Sequence, residues 1–306
     1  MPRRPDRVRL LVVGNVTEDL SFRVSELPRP GETLISGSRS DDLGGKGLNQ
    51  AVIAARCGIA VTLLAPVGND AIADRARALA EAEGIRPDLP AVTERSDQSV
   101  IAVARSGENI IISSALAADA LDIATAAARV GSVAPGDAVL VQGNLSSAVT
   151  RAVLSAARAR GITTFANPSP IRWNWGELWT LVDTAIVNRL ELATLTGMDD
   201  MESGIGYLRR AGCGRVLVTL GAEGAVLTDA SGLHHMDASP ASVVDTAGAG
   251  DTLCGVFLAR ELSGDRPAAA LARAARAAAI TVSREGTHSA FPDAATLCFP
   301  GDEGAE

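Results

Sequence analysis

Asp245-Thr246-Ala247-Gly248-Ala249-Gly250-Asp251-Thr252 is the stretch that decides how this chain is read. Small residues, two of them without side chains, run into an acid, and an apolar segment of helical character follows over 253–262. A chain that gives up side chains lets a ligand come close to its backbone. A helix starting there points unpaired N–H groups and its positive dipole end at that ligand, which suits phosphate. Asp251 then sets a carboxylate beside the anion, where a general base could take a proton from a hydroxyl attacking phosphorus. The competing reading is an ordinary glycine-rich strand-to-helix turn with Asp as a cap. The octapeptide alone leaves both open.

Outward from that turn, the whole chain narrows the class. Its 306 residues are enough for one large α/β domain with a sizeable core, and 47% apolar content argues against disorder. A net charge of −8 lacks the basic face that a general nucleic-acid binder needs, but leaves room for an anion held by backbone groups. The cysteines (Cys57, Cys213, Cys254, Cys298) are scattered, with no CxxC pair, and read as reduced core residues of a cytosolic protein. The basic opening Met-Pro-Arg-Arg-Pro-Asp-Arg leads into too short an apolar run for a signal or membrane span. The expectation is a soluble, cytoplasmic protein with no membrane partner.

Short β-branched runs alternate with Ala-, Arg- and Leu-rich stretches. Strands are predicted at 9–14, 61–67, 138–142, 163–167, 184–188 and 216–219. Helices are predicted at 48–56, 71–83, 148–160, 190–195, 201–211, 251–261 and 267–283. Continuously apolar strands separated by helices imply an α/β fold, a doubly wound and mostly parallel sheet flanked by helices. Two segments break the rhythm. The stretch 22–39 holds the turn Leu27-Pro28-Arg29-Pro30-Gly31-Glu32, and 99–114 alternates around Ser106-Gly107-Glu108-Asn109. Both read as hairpins without covering helices, and together they form a small β-sheet that would act as a lid.

A second glycine cluster, Gly44-Gly45-Lys46-Gly47-Leu48-Asn49-Gln50-Ala51, also opens a helix. It is no P-loop, because Gly47 stands where Ser or Thr should follow the lysine. Gly14-Asn15-Val16-Thr17-Glu18-Asp19 lacks the glycine spacing of dinucleotide binding, which demotes a dehydrogenase. Asp19 and Asn49 could each bond hydroxyls, or each be a turn residue.

These two glycine motifs resemble the two signatures of the ribokinase-like (phosphofructokinase-B type) sugar kinases. Further marks fall in the family's order: Pro28-Arg29-Pro30-Gly31-Glu32-Thr33, Gly107-Glu108-Asn109, Asn167-Pro168, Asn188-Arg189-Leu190-Glu191 and Thr219-Leu220-Gly221-Ala222-Glu223-Gly224. The likeness runs from about 10 to 292, implying a single ribokinase-like domain over 1–306 with lid segments at about 16–42 and 97–116. It implies an ATP-dependent phosphotransferase in which Asp251 is the base and the backbone of Gly248, Ala249 and Gly250 forms the anion hole. Asn188 and Glu191 would place Mg²⁺ through water, although three residues apart at a helix start they equally describe a cap. Thr219, Gly221, Gly224, Asn188 and Gly250 would serve the nucleotide. Asp245, with carbonyls of Ala247, Thr281, Arg284 and Gly286, would hold an activating K⁺. Ala290 stands where the family's ribokinases have Ser. Thr17, Asp19, Gly45, Lys46, Asn49 and Asn144 fall on the sugar side, with Thr17 in place of Asn and Asn144 in place of Glu. An amide donates as well as accepts, so the hydroxyl pattern read should differ from ribose toward a related pentose or polyol.

His234, His235 and His288 lack partner acids at catalytic spacing and read as surface or turn residues. Trp173, Trp175 and Trp179 read as an apolar anchor, and Arg273 and Arg276 as solvent-facing. A nucleoside kinase and a non-catalytic sugar sensor of the same fold are the alternatives. Few aromatic residues in the lid weigh against the first, and intact Asp251, Asn188 and Glu191 against the second. Apolar lid residues (Leu34, Ile35, Ile101, Val103, Ile110, Ile112) on exposed edges imply a homodimer through the lid.

Overall fold

Alternate residues of the first strand, β1 (Arg9–Val13), enter different cores: Leu10 and Val12 one, Leu11 and Val13 the other. That is what a parallel sheet covered on both faces requires. The computed structural model describes residues 9–229 and 232–297; Cys298 and the basic opening segment lie outside them. After β1 come β2 (Thr17–Val24), β3 (Ser38–Gly44), α1 (Lys46–Arg56), β4 (Ala60–Leu64), α2 (Ala71–Ala82) and β5 (Arg86–Asp88). Next are β6 (Asp97–Ala104), β7 (Asn109–Ser113), α3 (Leu116–Asp119), α4 (Ile123–Val130), β8 (Ala138–Gln142), α5 (Ser147–Ala159) and β9 (Thr163–Asn167). The remainder is β10 (Thr184–Asn188), α6 (Arg189–Thr196), α7 (Met201–Arg210), β11 (Arg215–Thr219), β12 (Ala225–Asp229), β13 (Gly232–Met236), α8 (Ala249–Leu262), α9 (Pro267–Val282) and α10 (Ala294–Leu297), with short 3-10 turns between.

The large sheet runs β13-β12-β11-β10-β9-β8-β1-β4-β5. Its strands from β5 to β11 pair in parallel, with Val13 opposite Leu64 on one side and Val141 on the other. From β1 the chain builds outward through β4 and β5, then returns to β8 and builds the other way. This reversal between β1 and β8 opens a crevice at the carboxyl ends of the strands, where ligands of open α/β sheets bind. Helices α1, α2, α8 and α9 cover one face, while α4, α5, α6 and α7 cover the other. Most of α8 is buried all round, as befits a helix in the middle of a layer.

The lid is a separate sheet in the order β3-β2-β6-β7. Both predicted hairpins exist, and they join through a parallel pairing of β2 with β6. The antiparallel β12–β13 edge was not legible beforehand, because its alternation differs from the buried strands around it. The tryptophans do anchor their segment: Trp175 stacks on Trp173 at 4.6 Å and on Trp179 at 5.3 Å, with Trp175 and Trp179 buried. Two expectations fail. His234 and His235 do have acids beside them, Asp229 at 3.2 Å and Asp237 at 3.5 Å. Arg273 faces inward rather than solvent, because Asp265, already bound by Arg260, supplies a second ion pair that offsets its burial. His288 occupies a turn as expected, but half-buried against Phe291.

Candidate active site

The decisive octapeptide is a helix start. Gly248 caps α8 in the left-handed region (φ 73°), and a Cβ there would lie 2.5 Å from the Phe291 ring, so only glycine fits. A Cβ on Gly250 would meet nothing within 4 Å, so this turn faces open space. Ala249 N–H makes only a long 3.4 Å bond to Thr246 O. Asp251 is buried, and its carboxylate is gripped from α1. Asn49 Nδ2 donates to Oδ2 at 2.9 Å, Gln50 Nε2 donates to Oδ1 at 2.8 Å, and Lys46 Nζ stands 3.8 Å from Oδ1. The two helices come this close because Gly255 offers no Cβ; one there would sit 2.7 Å from Ile53 Cγ2.

Three glycines fold the other cluster against the base of the lid. Gly45 caps α1 at φ 93°, and a Cβ on it would strike the backbone of Asn15, Val16 and Thr17 at about 3 Å. A Cβ on Gly44 would fall 2.0 Å from Asp19 Oδ2, and one on Gly47 2.5 Å from Asn15 N. Thr17 Oγ1 donates to Asp19 Oδ1 at 2.7 Å and so orients its carboxylate. Burial pushes the Asp19 carboxyl up; hydrogen bonds from Thr17 and Ser99 oppose this, and Asp42 and Asp251 add to it. Burial alone would depress the Lys46 ammonium, but Asp251 and then Glu191 outweigh it and raise its value, which keeps a cation beside Asp251. Asn144 is buried at the end of β8, and both its Oδ1 and Asn49 Oδ1 lack hydrogen-bond partners.

Asn188 and Thr219 are register partners at the ends of β10 and β11. Asn188 and Glu191 form a full capping box: Glu191 N donates to Asn188 Oδ1 at 2.7 Å, and Asn188 N to Glu191 Oε2 at 2.8 Å. The capping alternative is therefore realised. After β11 the chain makes a tight turn through Gly221 (φ 61°) and Gly224 (φ 93°), where a Cβ on Gly224 would collide with Met236 O at 2.0 Å. Arg189 joins this turn to α6 through Glu223 at 2.9 Å.

Behind the α8 turn, the Asp245 carboxylate accepts from Ala247 N at 2.9 Å and from Gly286 N at 3.2 Å. It thus ties two loops together directly. Thr281 O already accepts from Arg284 N at 3.1 Å, and Thr281 Oγ1 pairs with Thr252 Oγ1 at 2.9 Å. A cleft of about 520 Å³ lies between the lid tip and segment 243–246.

Sequence reading missed one group altogether. Gln50, Gln142 and Asn167 are buried amides in one chain that reaches Asp251 through Gln50: Gln142 Nε2 donates to Gln50 Oε1 at 2.9 Å, and Gln50 Nε2 also donates to Asn167 Oδ1 at 3.0 Å. The available signal was a pair of adjacent amides opening an otherwise apolar helix, with two more amides closing β8 and β9. Gln142 and Asn167 sit at the carboxyl ends of β8 and β9, and Gln50 at the start of α1 that faces them.

The chain is 29% identical over 293 residues to the ribokinase of Haemophilus influenzae, covering 94% of this chain and 96% of that protein. The ribokinase crystal structure from Thermotoga maritima superposes with a TM-score of 0.86 at 26% identity, covering 95% of this chain and 98% of that one. Arabidopsis thaliana ribokinase complexed with ribose and ATP gives 0.84 at 26% identity, covering 95% and 97%. With the pfkB family carbohydrate kinase profile matching residues 8–294, the chain belongs to that family and is a ribokinase-like, ATP-dependent carbohydrate kinase.

Proposed function

We propose that the chain moves the γ-phosphoryl group of ATP to a hydroxyl of a small sugar, ribose or a related pentose or polyol. The observation that carries this reading is the juxtaposition at α8: a buried Asp251 held by α1 amides, one residue from the open space at Gly250. Asp251 takes the proton of the attacking hydroxyl. The N–H groups of Gly248, Ala249 and Gly250 receive the charge growing on the transferred group, aided by the helix dipole. Lys46, held charged, adds a cation at the same junction.

The acceptor occupies the pocket of Thr17, Asp19, Gly45, Lys46, Asn49 and Asn144. The buried, unpartnered Oδ1 atoms of Asn49 and Asn144 support this, since sugar hydroxyls would satisfy both. A nucleoside fits less well, because the lid strands offer only Phe22 as an aromatic face. The Arabidopsis relative's complex with ribose and ATP supports both ligands. Thr219, Gly221, Gly224 and Asn188 border the nucleotide.

The exposed Asn188–Glu191 pair spends only Oε2 of its carboxylate on the capping box, which suits a hydrated Mg²⁺ held through water. Bound there, the ion supplies charge neutralisation at the phosphates. Asp245, with carbonyls of Ala247, Thr281, Arg284 and Gly286, is the proposed K⁺ site; its carboxylate already braces the anion-hole loop. The lid's outward apolar residues Val100, Ile110 and Ile112 share one face and support a homodimer through the lid. A cytoplasmic location fits a consumer of ATP. No helix among the described residues is long and apolar enough to cross a membrane.

The test is an ATP-turnover screen over pentoses, hexoses, polyols and nucleosides with Mg²⁺, with and without K⁺. Turnover with a pentose or polyol is expected, and a preference for nucleosides would overturn the acceptor reading. A monomeric mass at micromolar concentration would remove the dimer.

A further inference from the structure

Gln50 is fully buried one residue beyond Asn49 on α1, and every polar atom of its side chain is used. Nε2 donates to Asp251 Oδ1 at 2.8 Å and to Asn167 Oδ1 at 3.0 Å, while Oε1 accepts from Gln142 Nε2 at 2.9 Å. Asn167 passes the pattern on by donating Nδ2 to the Ile186 carbonyl at 2.8 Å.

A carboxamide can be turned over in place, but this chain of amides admits one polarity. A carboxylate accepts and cannot donate, so Gln50 must present its NH₂ to Asp251. Its carbonyl then faces Gln142, which must answer with its own NH₂. The arrangement strands Gln142 Oε1, which is buried without a partner. That orphan lies against the end of β1, where a Cβ on Gly14 would come within 2.1 Å of it. A buried unmatched acceptor is destabilising. Here it sits at the end of the chain of amides away from Asp251, and the carboxylate keeps both of its amide donors.

We infer that Gln50 is a positioning residue for Asp251, and that Gln142, by donating to the Gln50 carbonyl, holds that amide in place against the carboxylate. The inference rests on the reading of Asp251 as the base. Asn49 holds the other carboxylate oxygen but keeps an unused acceptor of its own, so an incoming sugar can engage it. Gln50 has no such spare capacity; its donor holds Oδ1 from the sheet side before, during and after the acceptor enters. Its removal therefore weakens the chemical step rather than the binding of either substrate.

The experiment uses the full chain with MgATP and D-ribose, or the screen's best acceptor where ribose is not turned over. Gln50→Met keeps length and removes the donor. It should lower kcat about 10- to 100-fold, with KM for both substrates within about threefold, as expected for a lost hydrogen bond to a charged group. Gln142→Met touches neither Asp251 nor substrate, yet removes the donor that holds the Gln50 carbonyl and so loosens the amide against Oδ1. It should lower kcat about 3- to 10-fold. Because both act through one bond, the double variant should be no slower than Gln50→Met alone. An unchanged kcat in Gln50→Met, or losses that multiply in the double variant, overturns the inference. Should Gln50→Met not fold, Gln142→Met decides by itself, with an unchanged kcat counting against the proposal. Asp251→Asn run alongside separates the two claims: if it turns over normally the base assignment fails, whereas an inactive Asp251→Asn with a normal Gln50→Met removes only the present inference.

Discussion

Alanine at Gly255 would place a methyl group 2.7 Å from Ile53 Cγ2, 2.8 Å from Ile53 Cβ and 3.1 Å from Gln50 O, where ordinary contact begins near 3.4 Å. Ile53 is fully buried and Gln50 O is backbone, so neither can swing aside. The relief available is for α1 to retreat from α8 by about 0.7 Å. Overpacking of this kind costs about 1–3 kcal/mol, and the better helix propensity of alanine returns up to about 1 kcal/mol. Net destabilisation is therefore small, about 0–2 kcal/mol. The effect on chemistry is larger. The bonds from Gln50 and Asn49 to Asp251, at 2.8 and 2.9 Å, stretch toward the limit of a hydrogen bond. Weakening one hydrogen bond to a charged group is worth about 1.5–3 kcal/mol, or roughly 10- to 100-fold in kcat. Gly206→Ala is the control, since its Cβ would meet only the flexible guanidinium of Arg210, at 3.0 Å and away from the site. It should gain about 0.5–1 kcal/mol and leave kcat alone. Thermal unfolding and steady-state kinetics on both variants decide the matter. A Gly255→Ala enzyme with wild-type kcat would refute the claim that the α1–α8 approach sets the geometry at Asp251.

Other outcomes follow from the same contacts. Asn144→Leu should raise KM for the sugar about tenfold and leave KM for ATP unchanged, since one buried hydrogen bond to the acceptor is lost; an unchanged sugar KM would remove Asn144 from the acceptor pocket. Arg56 binds Glu83 at 2.6 and 2.9 Å, and that hydrogen bonding holds the Glu83 carboxyl below its ordinary value of 4.5. Its stabilisation is complete above pH 4.5 and is lost as the pH falls through the lower folded value. The unfolding temperature of Glu83→Gln should accordingly fall less steeply with acidification below pH 4.5 than that of the wild type, and parallel curves would contradict the assignment.

The fold was readable because its strands are continuous apolar runs and its helices are periodic, which made both covered faces and the two uncovered hairpins visible. Site residues on glycine turns were readable for a related reason: positions such as Gly45 and Gly248 tolerate nothing else, so the constraint is written as residue type. The capping box at Asn188 and Glu191 was visible as one of two meanings of the same spacing. What escaped notice was set by distance along the chain. Gln50 meets Asn167 across 117 residues and Asp251 across 201. No local pattern announces such meetings, since a buried glutamine and an exposed one look alike until the sheet brings their partners together.

The most direct test of the account is Asp251→Asn, assayed for phosphoryl transfer and, separately, for ATP binding by calorimetry. The amide preserves shape but cannot take the proton, so turnover should fall at least about a hundredfold while ATP binds as before. Turnover at the wild-type rate would contradict the assignment of Asp251 as the base.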